Sequence, residues 1–190
     1  MQGCGVSLNW AASVLGFDGE DKFDQLSNAA VNSKNDGILY FPFLRGTMFS
    51  PESGGFLINL RDYHTKEDIA AAVFAGLCSE TKYLSARISN ASSQPITCIH
   101  AAGGPSKSAY FMQLKADMMG CDVVLAEESE ASCLGAAILS AIGAGDIGFD
   151  QIDKMASGSK KTYRPMENAM AEKYYEMYEK NRNYLLAMNG

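Results

Sequence analysis

The chain has 190 residues, of which 47% are hydrophobic and 20% are charged. These values are typical of one globular domain with a sizeable core, and they exclude disordered and fibrous proteins. The chain carries 16 Lys+Arg against 22 Asp+Glu, a net charge of −6, and its basic residues are scattered. We therefore expect neither nucleic acid nor an anionic membrane as the main partner. Apolar runs fall well short of the ~20 residues that a membrane span needs.

Five widely spaced cysteines form no C-x-x-C pair. This pattern predicts mostly buried thiols in a reducing, cytoplasmic environment. The two histidines, His64 and His100, lack the spacing of metal ligands, and we expect both to be structural. No metal site is predicted.

The first third of the chain predicts short elements. These are helices at 6–15 and 22–30, a turn at Asn35-Asp36-Gly37, and strands at 38–41 and 56–60. Thr65 followed by Asp68 then resembles a capping box. Apolar residues recur behind it at steps of four or seven, which predicts a long amphipathic helix to about Ile88.

The rest of the chain alternates strands and helices. The predicted elements are a strand at 96–100, a turn of small residues, a helix at 106–119, a strand at 121–125 and a helix at 131–142. A basic, polar link at 157–164 precedes a final helix with an apolar stripe between Met166 and Leu185. This order indicates an α/β fold with right-handed crossovers.

The strand-to-helix turn at 103–108 (GGPSKS) is the most informative stretch. Glycines let a backbone approach a ligand closely, and a helix that begins after them directs free N–H groups toward an anion. The turn therefore outlines a phosphate cradle. Local features alone favour the other interpretation, a tight turn with Pro105 in the first helical turn. It is not a Walker A loop, because Ser106 stands where that motif requires glycine.

Residues 143–148 (GAGDIG) match the G-x-G-x-x-G pattern of dinucleotide sites. They follow a helical pattern, whereas that motif requires a preceding strand, so we interpret them as a helix C-terminal loop. A strand directly before Gly143 would revive a dinucleotide enzyme. The candidates for acid–base chemistry form no persuasive constellation; they are Asp62, His64, Asp117, Glu127, Glu128 and Glu130.

Five segments, in one order, resemble the FGGY family of carbohydrate kinases. Residues 38–46 (ILYFPFLRG) resemble its "gl.flPyl.Ger.P" segment, and 55–60 with His64 resemble "G.f.gl...H". The helix at 68–76 resembles "l.rAvlEGia". Residues 102–120 resemble the nucleotide motif "GGGa.S..w.Q..AD..g", and Glu130 with 134–137 resembles "E...lGAA".

The resemblance implies an actin-like, ribonuclease-H-like ATPase fold, with a central mixed sheet flanked by helices. It implies that residues 1–190 are a single C-terminal nucleotide-binding domain, in which 157–190 form a linker and a helix. It also implies that the kinase uses ATP and Mg²⁺ and acts on a sugar or polyol. Gly103 and Gly104 would contact phosphates or ribose, and Ser108 would lie near the adenine. Gln113, also expected at the nucleotide, and Asp117 would support the turn from the helix.

The sequence departs from the family at several positions. Pro105 replaces a third Gly or Ala and removes one N–H donor. Phe111 replaces the usual Trp, and Thr47 and Met48 stand where Glu and Arg are common. No residue matches the family's catalytic Asp, so no catalytic residue is named.

We expect this chain alone to be inactive, with the sugar-binding N-terminal domain absent and a xylulose-like acceptor weakly favoured. A non-catalytic interaction module that keeps the fold without nucleotide is the alternative, and a homodimer is left open.

Overall fold

A computed structural model describes residues 3–34, 37–48, 50–126, 131–152 and 159–188. Helices α1 to α6 lie at Cys4–Val14, Lys22–Val31, Lys66–Ser92, Ala109–Met119, Ala131–Ala144 and Ala169–Ala187. Strands β1 to β5 lie at Leu39–Phe41, Phe56–Ile58, Cys98–Ala101, Asp122–Ala126 and Ser159–Tyr163. Two 3₁₀ turns lie at Gly104–Lys107 and Phe149–Gln151.

The strands form two small sheets. β1 and β2 pair in antiparallel orientation, with Tyr40 opposite Leu57. The second sheet has the order β3-β4-β5, in which β3 and β4 are parallel and β5 is antiparallel to β4. Parallel neighbours need a crossover connection, and α4 supplies it between β3 and β4. The glycine turn therefore lies where β3 ends and this crossover begins.

The long helix α3 begins where its capping box predicts. The Asp68 carboxylate accepts a hydrogen bond from the Thr65 backbone N–H at 2.9 Å, and Thr65 has an extended conformation. The helix continues four residues beyond Ile88 and ends at Ser92, after which Ser93 is left-handed. α1, α2 and α3 pack together. The main core lies around them, where Trp10 stacks on Tyr40 with ring centroids 5.7 Å apart.

The prediction of a link at 157–164 is wrong, because Ser159–Tyr163 forms β5. Its sequence, SKKTY, lacks the apolar alternation that indicates a strand. The strand forms because the free edge of β4 offers backbone hydrogen bonds, and Tyr163, opposite Val123, is buried. Lysines are common on edge strands, where they discourage further pairing.

The loop interpretation of 143–148 is confirmed. α5 extends through Gly143, so the strand that a dinucleotide motif requires does not precede it. Gly145 has φ +82° and donates its N–H to the Ile142 carbonyl, as expected at a helix end. Two earlier predictions fall on residues outside the described ranges. They are the turn, at positions 35 and 36, and the acidic residues Glu127, Glu128 and Glu130, of which Glu130 also belongs to the family resemblance.

Candidate functional site

The backbone of the glycine turn requires glycine at its first position. Gly103 has φ +85° and ψ −178°, a conformation that only glycine adopts readily. Gly104 follows without a positive φ and opens the 3₁₀ turn Gly104–Lys107, so the predicted helix at 106–119 is in fact a 3₁₀ turn followed by α4. Pro105 follows Gly104 at the start of this turn, where its missing N–H costs no internal hydrogen bond.

The surface over this turn is open. A Cβ atom added to either Gly103 or Gly104 would have no atom within 4 Å apart from chain neighbours. Gly104 is exposed, and α1 packs beside the turn. The side chains of the described residues therefore do not fill the space next to these two glycines, and a ligand can reach the backbone there.

The two serines of the turn hold its shape. Ser106 donates both its N–H, at 3.1 Å, and its hydroxyl, at 2.7 Å, to the Gly103 carbonyl. The Ser108 hydroxyl oxygen accepts from the Phe111 N–H at 3.2 Å and so caps α4. It also accepts from the Ser27 hydroxyl of α2 at 2.9 Å. Ser27 lies 81 positions away in the sequence, and nothing in its local pattern indicates this contact.

Gln113 and Asp117 hold a different part of the chain from the one expected. The Gln113 side-chain N–H groups donate to the Asp117 carboxylate at 2.7 Å and to the Arg164 carbonyl at 2.8 Å. Asp117 also accepts from the Met166 backbone N–H at 2.9 Å and from the Asn168 amide at 3.3 Å. These bonds fix the segment 164–168 before α6. A direct contact of Gln113 with nucleotide stays a prediction.

We expect Asp117→Asn to lower the free energy of unfolding by about 1–2 kcal/mol, because an amide replaces one acceptor oxygen with a donor that faces other donors. Urea denaturation measures the change. Asp122→Asn is the matched control, since Asp122 is also half-buried and accepts no hydrogen bond from any residue described. Equal losses in the two variants would contradict the role given to Asp117.

The remaining candidates are dispersed. Asp62 is exposed, His100 is exposed on β3, and the His64 Nδ1 atom accepts from the Arg61 backbone N–H at 3.0 Å. Within the described ranges, no group of three or more His, Cys, Asp or Glu side chains could hold a metal ion. In the same ranges no helix has the length and apolarity that crossing a bilayer demands.

The thiols differ in burial. Cys78 and Cys121 are buried, Cys4 and Cys98 are half-buried, and Cys133 is exposed. Burial raises the pKa of Cys78 to about 12, so this thiol stays protonated and unreactive at neutral pH.

Comparison with known proteins decides the family. The profile of the FGGY family of carbohydrate kinases, C-terminal domain, matches residues 8–144. The chain belongs to this family. It is 31% identical over 185 residues to a xylulose kinase of Staphylococcus epidermidis, covering 92% of this chain and 36% of that protein. It is also 31% identical over 183 residues to a gluconokinase of Bacillus subtilis, covering 88% and 35%. The chain thus spans little more than a third of these relatives.

Solved structures agree on the fold. The gluconate kinase from Lactobacillus acidophilus superposes with a TM-score of 0.81 at 25% identity, covering 98% of this chain and 39% of that one. The prediction of an actin-like ATPase fold, with a mixed sheet flanked by helices, is confirmed. Within this FGGY domain, the glycine turn lies between β3 and α4.

Proposed function

We propose that this chain is the nucleotide-binding part of an ATP-dependent carbohydrate kinase, which transfers the γ-phosphoryl group of ATP to a sugar hydroxyl. The single observation that carries the proposal is the open backbone at Gly103 and Gly104. Membership of the FGGY family supports the same reaction class.

The residues of the turn have distinct proposed roles. The backbone at Gly103 and Gly104 contacts the phosphates or the ribose, since among the described residues only chain neighbours lie within 4 Å of a Cβ placed on either glycine. Ser108 keeps the start of α4 in place near the adenine. The open cradle fits a nucleotide, and Mg²⁺ arrives with the nucleotide phosphates that ligate it. Pro105 supplies no N–H, so fewer backbone donors face the phosphates.

The acceptor is proposed to be a sugar or polyol, with xylulose or a similar sugar weakly favoured. The Staphylococcus epidermidis xylulose kinase supports it, although the Bacillus subtilis gluconokinase is equally identical to the chain. Phosphoryl transfer also needs a base that accepts the proton of the sugar hydroxyl. We propose that other parts of a complete kinase supply this base, and that the chain alone turns over neither xylulose, gluconate nor glycerol.

The experiment is calorimetric titration of the chain with Mg²⁺–ADP. We expect Gly104→Val to weaken binding at least tenfold, because the valine side chain would occupy the open space, where a Cβ has no atom of the described residues within 4 Å apart from chain neighbours. Gly143→Val is the matched control. A Cβ at Gly143 likewise has no atom of the described residues within 4 Å apart from its surroundings in the helix, and Gly143 lies on α5, outside the glycine turn.

Three outcomes discriminate the alternatives. Loss of binding only in Gly104→Val supports the proposal. Equal loss in both variants, or loss only in Gly143→Val, would contradict the role given to the glycine turn. No binding by the unmodified chain at millimolar nucleotide would contradict the proposal and favour an interaction module that keeps the fold.

A further inference from the structure

The structure contains a cavity whose lining does not include the glycine turn. It has a volume of about 440 Å³ and lies between the loop after β1 and the C-terminal halves of α3 and α6. Small-molecule sites in proteins commonly measure ~300–1,000 Å³. None of the residues that line it belongs to the turn or to α4. The cavity therefore shares no lining residue with the proposed nucleotide site.

One arginine of this cavity, Arg182, is buried and forms an ion pair with Glu80. The Arg182 guanidinium donates to both carboxylate oxygens of Glu80, with Nε and Nη2 each 2.7 Å from an oxygen. Its Cζ atom lies 3.9 Å from the centroid of the Tyr83 ring. Glu80 neutralises this charge, so the pair contributes rigidity to the cavity and little net charge.

A second arginine, Arg87, contacts the same Tyr83 ring and forms no ion pair with a carboxylate of the described residues. The Cζ atom of Arg87 lies 5.8 Å from the Tyr83 centroid, and Nη1 donates to the Tyr83 hydroxyl at 3.3 Å. Arg87 is exposed, and the described part of the chain places no carboxylate within ion-pair distance of it. Two guanidinium groups thus converge on one ring beside a single carboxylate. The cavity has an excess positive charge in a chain whose net charge is −6.

Several other residues that line the cavity are apolar. Pro42 and Phe43 belong to the loop after β1, and Leu84 and Leu186 belong to the two helices. Thr47 and Asn183 add hydroxyl and amide groups. A guanidinium binds carboxylates and phosphates through charge-assisted hydrogen bonds, while apolar walls favour the apolar part of the same ligand.

We propose that this cavity binds a small organic anion, a phosphate or carboxylate carried on an apolar body, with Arg87 as the residue that recognises the charge. The ligand neutralises the second guanidinium, and its apolar body contacts Leu84 and Leu186, which are half-buried. The site is separate from the nucleotide site.

The test is a titration followed by NMR, with phenyl phosphate and benzoate as probes of the two anion classes. Inorganic phosphate tests the contribution of the anionic group alone, and phenol tests the contribution of the aromatic ring alone. We expect phenyl phosphate or benzoate to shift the amide signals of Thr47 and Asn183, and to bind at least tenfold more tightly than phosphate or phenol. Arg87→Gln should weaken this binding at least fivefold.

Arg61→Gln is the matched control, because Arg61 is equally exposed and does not line the cavity. A stronger response to phenyl phosphate assigns a phosphate ligand, and a stronger response to benzoate assigns a carboxylate. The proposal is overturned if phosphate alone binds as tightly as both probes, if Arg87→Gln and Arg61→Gln behave alike, or if the shifts map to 103–107. Failure of nucleotide binding would leave it untouched, since the two sites share no residue.

Discussion

Replacing Glu80 with glutamine is expected to lower the free energy of unfolding by about 3 kcal/mol, because a buried guanidinium then lacks its counter-charge. The side chains of Glu80 and Arg182 are only 6% and 8% exposed. Glutamine has nearly the same shape as glutamate, so the loss reports the charge and its hydrogen bonds and not a cavity.

The contacts around Glu80 explain the size of this effect. Its carboxylate accepts from Arg182 at two atoms and from the Tyr178 hydroxyl at 2.7 Å. Burial, followed by the charge of Glu80, raises the pKa of Tyr178 well above its usual value, so the hydroxyl remains a donor. Burial opposes the charge of Arg182, yet its hydrogen bond to Glu80 and the charge of that carboxylate leave its pKa raised. This cluster joins α6 to α3.

A double-mutant cycle measures the pair. Glu80→Gln, Arg182→Met and the double variant are unfolded in urea, and the coupling is the departure of their changes from additivity. We expect the double variant to be at least ~2 kcal/mol more stable than the sum of the single losses predicts, since it leaves no unpaired buried charge. Additive losses would show that the two residues act independently.

Local chemistry made part of this fold predictable. The start of α3 follows from Thr65 and Asp68, whose side chains satisfy free N–H groups within three residues. The glycine turn is visible because the conformation of Gly103 excludes other residues. In both cases the atoms that determine the structure are close together in sequence.

The features that sequence analysis missed depend on distant partners. β5 exists because β4 offers an edge, and the sequence of Ser159–Tyr163 carries no signal of that edge. Glu80 and Arg182 are 102 positions apart. The Ser27 contact with Ser108 is likewise set by how α2 packs. A sequence pattern covers only a short stretch of neighbouring residues, so it does not reveal contacts between residues that are far apart in the chain.

The candidate site divides in the same way. The residues and their resemblance to the family motif both indicate Gly103 and Gly104 as candidate site residues, and their contact with a nucleotide stays a prediction. The hydrogen bonds of Gln113 to the segment before α6 could not be predicted from the sequence, because Arg164 lies 51 positions away. The contact of the Arg182 guanidinium with the Tyr83 ring also becomes visible only when α3 and α6 are packed together.

Gly76→Ala is expected to lower the free energy of unfolding by about 3 kcal/mol, through overpacking between α3 and β1. A Cβ atom at Gly76 would overlap the Tyr40 carbonyl oxygen and lie 2.9 Å from its carbonyl carbon. These are backbone atoms of a strand that is buried at all three residues, so they cannot rotate away as a side chain would. The close approach of helix and strand therefore requires glycine.

Gly135→Ala in α5 is the matched control, since this helical glycine has open space around its would-be Cβ. There the same substitution should stabilise the helix by about 0.5–1 kcal/mol, because alanine loses less backbone entropy than glycine on folding. Thermal and urea unfolding of the two variants should consequently differ in sign. If Gly76→Ala were neutral, α3 could move away from Tyr40 at no cost, and the tight contact between α3 and β1 would not be what fixes the position of the long helix.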